Sequence, residues 1–161
     1  MPNTCPYCNN EQALKGYNTI PDIYPELCNY WSSKNLVKTD EVTRSVEAEN
    51  KIFTWICDCC NLEFQERLGI VLEAFTKNNS SKLNSICPYC NKKLPKPNET
   101  VNYVKPYLIN EWVKELNGDI YTFFYDSNTL VDWNCRKCHR NFKAKISERH
   151  ENDQCCPYCS F

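Results

Sequence analysis

The chain has 161 residues with 19 basic and 20 acidic side chains, a formal net charge of -1. Thirteen cysteines, about 8% of the residues, mark a fold built on cross-links or metal rather than on a large core alone. The balanced charge excludes a generic polyanion binder and a charge-rich disordered tail, and with only three glycines a P-loop or Rossmann phosphate turn is excluded in practice.

In chain order, the first element is a Cys-Pro-Tyr-Cys turn, Cys5 to Cys8, within residues 1–20. Proline at a first-turn position, followed by Leu27 and Trp31, predicts a short helix from about 25 to 32. Phe53, Trp55 and Cys57 alternate, so a strand leads into Cys57-Asp-Cys-Cys60. Leu68, Val71, Leu72 and Phe75 have helical spacing and predict an inserted helix, before a second Cys-Pro-Tyr-Cys at 87–90. Residues 91–105, with Pro95, Pro97 and several lysines, read as a linker. Leu108, Trp112 and Leu116, flanked by Ile109 and Val113, predict a helix near 106–116 that Gly118 stops. Val131, Trp133 and Cys135 lead into Cys135-Arg-Lys-Cys138, and Phe142, Ala144 and Ile146 alternate on the way out, forming a hairpin. A third Cys-Pro-Tyr-Cys closes the sequence at 156–159.

These elements are two copies of one pattern. Pro25, Leu27, Asn29 and Trp31 match Pro106, Leu108, Asn110 and Trp112, and Phe64 and Leu68 fall opposite Phe142 and Ile146. The expected organisation is an N-terminal cysteine half-site at 1–20, module 1 at 21–90, the linker at 91–105, and module 2 at 106–161. Each module is a short helix plus a β-hairpin in a small, zinc-stabilised α+β fold.

Ten cysteines form five C-x-x-C pairs. Such a spacing brings two sulfurs onto one ion, and four thiolates suit zinc. The tight turn favours a left-handed residue after the second cysteine, here Asn9, Asn61, Asn91, His139 and Ser160. Joining Cys57, Cys60, Cys87 and Cys90 leaves 26 residues between pairs, and joining Cys135, Cys138, Cys156 and Cys159 leaves 17. The other pairing, 5/8 with 57/60 and 87/90 with 135/138, needs loops of 48 and 44 residues, which cost more entropy to close. Two zinc sites are expected, with Cys5 and Cys8 left for a third. Cys28, Cys59 and Cys155 read as bystanders, Cys28 being the best placed to assist the orphan pair.

Cys-Pro-Tyr-Cys is also a glutaredoxin-type redox sequence. That chemistry needs one copy opening a helix, whereas three are present. A disulfide framework is disfavoured by strict C-x-x-C pairing and by an N-terminus without a basic and apolar leader. The chain is therefore expected in a reducing compartment, the cytoplasm, or the host's if the protein is viral. No apolar run reaches the roughly 18 residues of a membrane span. His139 and His150 have no catalytic company, and no enzyme activity is expected.

The sequence resembles a zinc-ribbon, treble-clef-like tandem repeat family of bacterial and viral proteins, sometimes fused to Vsr-like endonucleases. The resemblance rests on Pro25, Glu26, Leu27, Trp31, Asn35, Trp55, Cys57, Cys60, Phe64, Cys87 and Cys90 in the first copy. In the second it rests on Trp112, Asn117, Trp133, Cys135, Cys138, Phe142, Ala144, Ile146, Arg149, Cys156 and Cys159. It departs from the family's Gly-His after the second cysteine, and the first copy lacks the arginine. The resemblance implies zinc and work near DNA, with no nuclease segment in this sequence.

Residues 135–161 carry a net +3, with Arg136, Lys137, Arg140, Lys143, Lys145 and Arg149 around the last knuckles. This basic hairpin is the expected nucleic-acid contact, although each Zn(Cys)4 centre subtracts about two charges. The alternative is a protein-interaction adaptor or inhibitor, of a nucleic-acid enzyme for instance, using the acidic first module. A dimer through the N-terminal cysteine pair is a further expectation.

Overall fold

The computed structural model describes residues 4–77, 82–151 and 156–159. The chain divides between Asn91 and Lys92 into two compact units. Each unit is built on one antiparallel hairpin. In the first, β1 (Ile52–Ile56) pairs with β2 (Glu63–Arg67), setting Trp55 opposite Phe64. In the second, β3 (Leu130–Asn134) pairs with β4 (Asn141–Lys145), setting Trp133 opposite Phe142. Alternation puts Phe53 and Trp55, and likewise Val131 and Trp133, on the buried face.

The expected helices at the Pro-x-Leu motifs form as 3₁₀ turns, Pro25–Tyr30 and Pro106–Glu111. They are cut short because Trp31 and Trp112 must become extended to make isolated bridges with Trp55 and Trp133. The indole pairs then meet edge to face, with centroids 5.1 Å and 5.4 Å apart, a favoured aromatic geometry. This tertiary contact overrides local helix propensity. One helix over 106–116 therefore does not exist, and Ile109 and Leu116 stand 44% and 62% exposed rather than joining a buried stripe with Leu108.

Asparagine side chains lock each indole-bearing strand in place. Asn35 donates to the Thr54 carbonyl and accepts from its amide, both at 2.9 Å. Asn117 does the same to Asp132, at 2.6 Å and 2.9 Å. Both are asparagines on which the family resemblance rests.

Short helices precede each 3₁₀ turn. In the first unit α1 (Ile20–Ile23) buries Ile20. The inserted elements α2 (Val46–Asn50) and α3 (Leu68–Lys77) follow, and α3 buries Leu68, Val71 and Leu72 as its spacing predicts. In the second unit α4 (Val101–Val104) buries Val101, and α5 (Lys114–Asn117) ends at Gly118, whose φ is 79°. The 91–105 stretch is thus more than a spacer. Thr100 repeats the bridge of Thr19, and Lys105 is buried with its Nζ donating to the Ile146 carbonyl at 2.8 Å. No helix among the described residues is long and apolar enough to cross a membrane.

Candidate metal centres

Each hairpin ends in a knuckle. The amide of Cys57 donates to Leu62 and that of Cys135 to Arg140, both at 3.0 Å, carrying the strand ladder to the first cysteine. The chain then reverses through Asn61 (φ 56°) and His139 (φ 57°), and their amides close the turns onto Cys57 and Cys135 at 2.8 Å. These are two of the expected left-handed residues. At the Cys-Pro-Tyr-Cys turns the left-handed residue falls one position later than expected, at Asn10 (φ 60°) and Lys92 (φ 53°) rather than at Asn9 and Asn91. The reason is visible at the first such turn, where Glu11 donates to the Pro6 carbonyl at 2.8 Å and winds the turn one residue further. Asn91 uses its side-chain amide to clamp Asn84, Ser85 and Cys87 carbonyls instead. Ser160 and Cys155 lie outside the described residues.

The structure gathers Cys57, Cys60, Cys87 and Cys90 into one group, and Cys135, Cys138, Cys156 and Cys159 into another, with all sulfurs of a group within 4.8 Å of one another. Cys57–Cys90 and Cys60–Cys87 are 3.7 Å apart. Cys135–Cys159 is 3.7 Å and Cys138–Cys156 3.6 Å. A tetrahedron of Zn–S bonds of about 2.3 Å has edges of about 3.8 Å, so both groups fit a zinc ion in size and in donor type. Two ions per chain are accommodated. Zinc contributes folding free energy directly, on the order of 10 kcal/mol per closed site in finger peptides.

Free thiols in such a group resist losing their protons together. The Cys138 amide draws the Cys135 thiol down to about 7. Burial pushes Cys87 up to about 11 and raises Cys90 as well. The neighbouring Cys138 sulfur drives Cys159 up to about 12.

Cys5 and Cys8 join no group of three ligand side chains among the described residues. Cys28 is half-buried against the first core rather than beside them, and Cys59 is exposed.

Around the second centre the expected basic face is partly spent. Arg149, expected at the nucleic-acid contact, is only 2% exposed and cannot serve there. Its guanidinium lies over Trp133 and Phe142, 4.7 Å and 5.3 Å from the ring centroids, and its Nη2 donates to Glu111. Nε and Nη1 are buried without a hydrogen-bond partner among the described residues. Arg149 also lines a cavity of about 160 Å³ with Cys135, Cys156 and Cys159. The roughly -2 charge of a zinc-bound quartet is thus the electrostatic complement of this buried cation. The matching position in the first unit is Val71, which is fully buried.

The remaining bases divide into two kinds. Arg136 pairs with Glu111 at 3.4 Å and donates to the Tyr107 carbonyl. Lys143 pairs with Asp132 at 3.1 Å and Lys145 with Glu148 at 3.0 Å. Lys137 is exposed with no ion-pair partner among the described residues, and Arg140 lies over the Tyr158 ring at 5.1 Å. Glu111 was not singled out from the sequence. It lies 38 residues from Arg149, and no local motif announces the pair.

Residues 108–161 match the model of a family described as a probable treble clef zinc finger domain. No curated protein matches the chain. The family match and the two cysteine quartets together support zinc-stabilised, treble-clef-like units.

Zinc requires all four sulfurs as thiolates, and Cys87 with Cys90, like Cys156 with Cys159, holds its protons above neutral pH. Uptake therefore displaces at least two protons per site, and affinity falls at least about a hundredfold for each pH unit lowered. Competition with a chelator of known affinity between pH 7.5 and 6.5 measures this, and a pH-independent affinity contradicts it. Arg149→Ala leaves Glu111, in a mostly buried site, with only the more exposed Arg136 as its cation, and costs the second unit about 3 kcal/mol. Denaturant unfolding followed through 130–145 amide exchange reports it, with β1–β2 amides unchanged.

Proposed function

We propose that the protein is a non-enzymatic zinc module that binds nucleic acid through the knuckle tips of its second unit. The observation that carries this reading is the contrast between two copies of one scaffold. The tip of the first hairpin bears Asp58 and Cys59, whereas the equivalent tip of the second bears Arg136 and Lys137. The turns 135–140 and 156–159 meet at the metal, setting Arg140 against the exposed ring of Tyr158. In this reading Lys137 and Arg140 meet phosphates, and Tyr158 offers a face on which an unpaired base stacks. Lys143 and Lys145 already face carboxylates and add less.

Charge sets the scale of such binding. Residues 92–161 hold eleven basic and nine acidic side chains, against eight and eleven in residues 1–91. A bound zinc quartet brings the second unit close to neutrality, so contact is local, with few phosphates neutralised. The resemblance to repeats that accompany endonucleases agrees with work near DNA. Thiolate ligation agrees with a reducing compartment such as the cytoplasm.

A second reading, a protein docked on the acidic first unit, is favoured by one feature. Leu36 is fully exposed and Val37 is 40% exposed, and both border a groove of about 700 Å³ that Trp31, Asn35 and Thr39 also line.

Anisotropy titrations of the zinc-loaded protein into labelled duplex DNA, single-stranded DNA and RNA at two salt concentrations separate the readings. The first predicts salt-weakened binding, a salt slope lowered by about one for each of Lys137→Ala and Arg140→Ala, and a single-strand defect in Tyr158→Ala. Absence of binding to all three at low salt contradicts it and leaves the first-unit groove as the surface for a partner.

A further inference from the structure

Once the two quartets are assigned, the Cys5-Pro-Tyr-Cys8 turn remains, and it is a finished knuckle. The Asn9 amide donates to the Cys5 carbonyl at 3.1 Å, the bond that closes the 57–60, 87–90 and 135–138 knuckles at 2.8, 3.1 and 2.8 Å. The turn is also anchored. The Asn18 side chain donates to the Tyr7 and Gln12 carbonyls at 2.8 Å and 2.9 Å and accepts from the Leu14 amide at 2.7 Å. The Thr43 hydroxyl donates to the Asn10 carbonyl at 2.6 Å. The Asp22 carboxylate receives the Gly16, Tyr17 and Thr19 amides and so fixes the following loop. The Tyr17 hydroxyl donates to the Cys8 sulfur at 3.8 Å. Two thiols are thereby preorganised as in the complete sites, yet Cys8 is exposed and Cys5 half-exposed. Among the described residues no third ligand joins them.

We propose that Cys5 and Cys8 bind a zinc ion together with the same two cysteines of a second copy of this chain, giving a metal-linked dimer. Two thiolates are half of the closed tetrahedral set that structural zinc requires, and the other described knuckles are already committed within their own units. The complementary half available to the turn is another copy of itself. A twofold axis through the ion gives both copies the same contact, as in the commonest class of homodimer. The rim suits this, because Tyr7 within the turn and Tyr17, which reaches the Cys8 sulfur, are both exposed aromatic groups. Residues 1–18 carry one acid, Glu11, and one base, Lys15, so two copies approach without net repulsion there. Four thiols give up their protons as one ion binds, leaving a centre of formal charge -2.

Sedimentation velocity and elemental analysis of the zinc-loaded full chain under a metal-compatible reductant test this against a Cys5→Ser/Cys8→Ser variant. The expected result is a wild-type dimer, with the variant monomeric and lower by half a zinc ion per chain. Its far-UV circular dichroism should be unchanged, because neither cysteine belongs to a quartet. In cobalt-loaded protein the sulfur-ligand charge-transfer absorption per chain should fall in step. A wild-type monomer at high micromolar concentration, a dimer that persists in the variant, or the additional ion found on a monomer overturns the proposal.

Discussion

Four sulfurs held 3.6–3.7 Å apart along the measured edges of each group are the constraint on which both units depend. Neither hairpin could stand alone, since two-stranded ribbons are marginal in water. Each core is small, and two of its members are themselves metal-ligand candidates: Cys57 and Cys87 in one, Cys135 and Cys156 in the other. Apolar burial and coordination are therefore continuous. The indoles of Trp55 and Trp133, fully buried behind the hairpins, donate their Nε1 hydrogens at 3.1 Å to the Glu66 and Ala144 carbonyls, tying the paired strands across the sheet. A chain this short in each unit gains from the metal the stability that burial supplies in larger domains.

Repetition conserves the scaffold and frees its periphery. The bridges Trp31–Trp55 and Trp112–Trp133 recur, as do Thr19–Thr43 and Thr100–Phe124. What differs is the packing beside the metal. The first unit closes with α3, whose Val71 and Leu72 are buried and whose Phe75 meets Tyr24 and Tyr30. Among the described residues the second forms no helix there, and it places Arg149 at the Val71 position, held by Glu111 and two aromatic rings. One unit is insulated by hydrocarbon, and the other has a buried cation and exposed bases at its rim. This asymmetry, on a common frame, is the reason to look to the second unit for an anionic partner.

The cysteine grouping and the strands were legible because their causes are local or nearly so: C-x-x-C spacing, period-two alternation and short closing loops. The inserted helix was legible from Leu68, Val71, Leu72 and Phe75 for the same reason. The elements misjudged were those decided at a distance. Leu108, Trp112 and Leu116 have helical spacing, but Trp112 is recruited to pair with Trp133 and the helix breaks. Asn9 and Asn91 are fit for a left-handed turn, but the proline-started knuckles wind one residue further. Arg149 looked like a surface base within a basic run. Its burial depends on Glu111, 38 residues away, and on rings supplied by the hairpin.

Closed, all-sulfur coordination underlies both units, and zinc K-edge X-ray absorption of the loaded protein addresses it without relying on stoichiometry or folding. A single first shell of four sulfurs at about 2.3 Å, with no nitrogen or oxygen contribution, is the predicted result. A mixed shell, in which water or a carboxylate replaces sulfur, would contradict the assignment of Cys57, Cys60, Cys87, Cys90 and Cys135, Cys138, Cys156, Cys159 as two complete quartets.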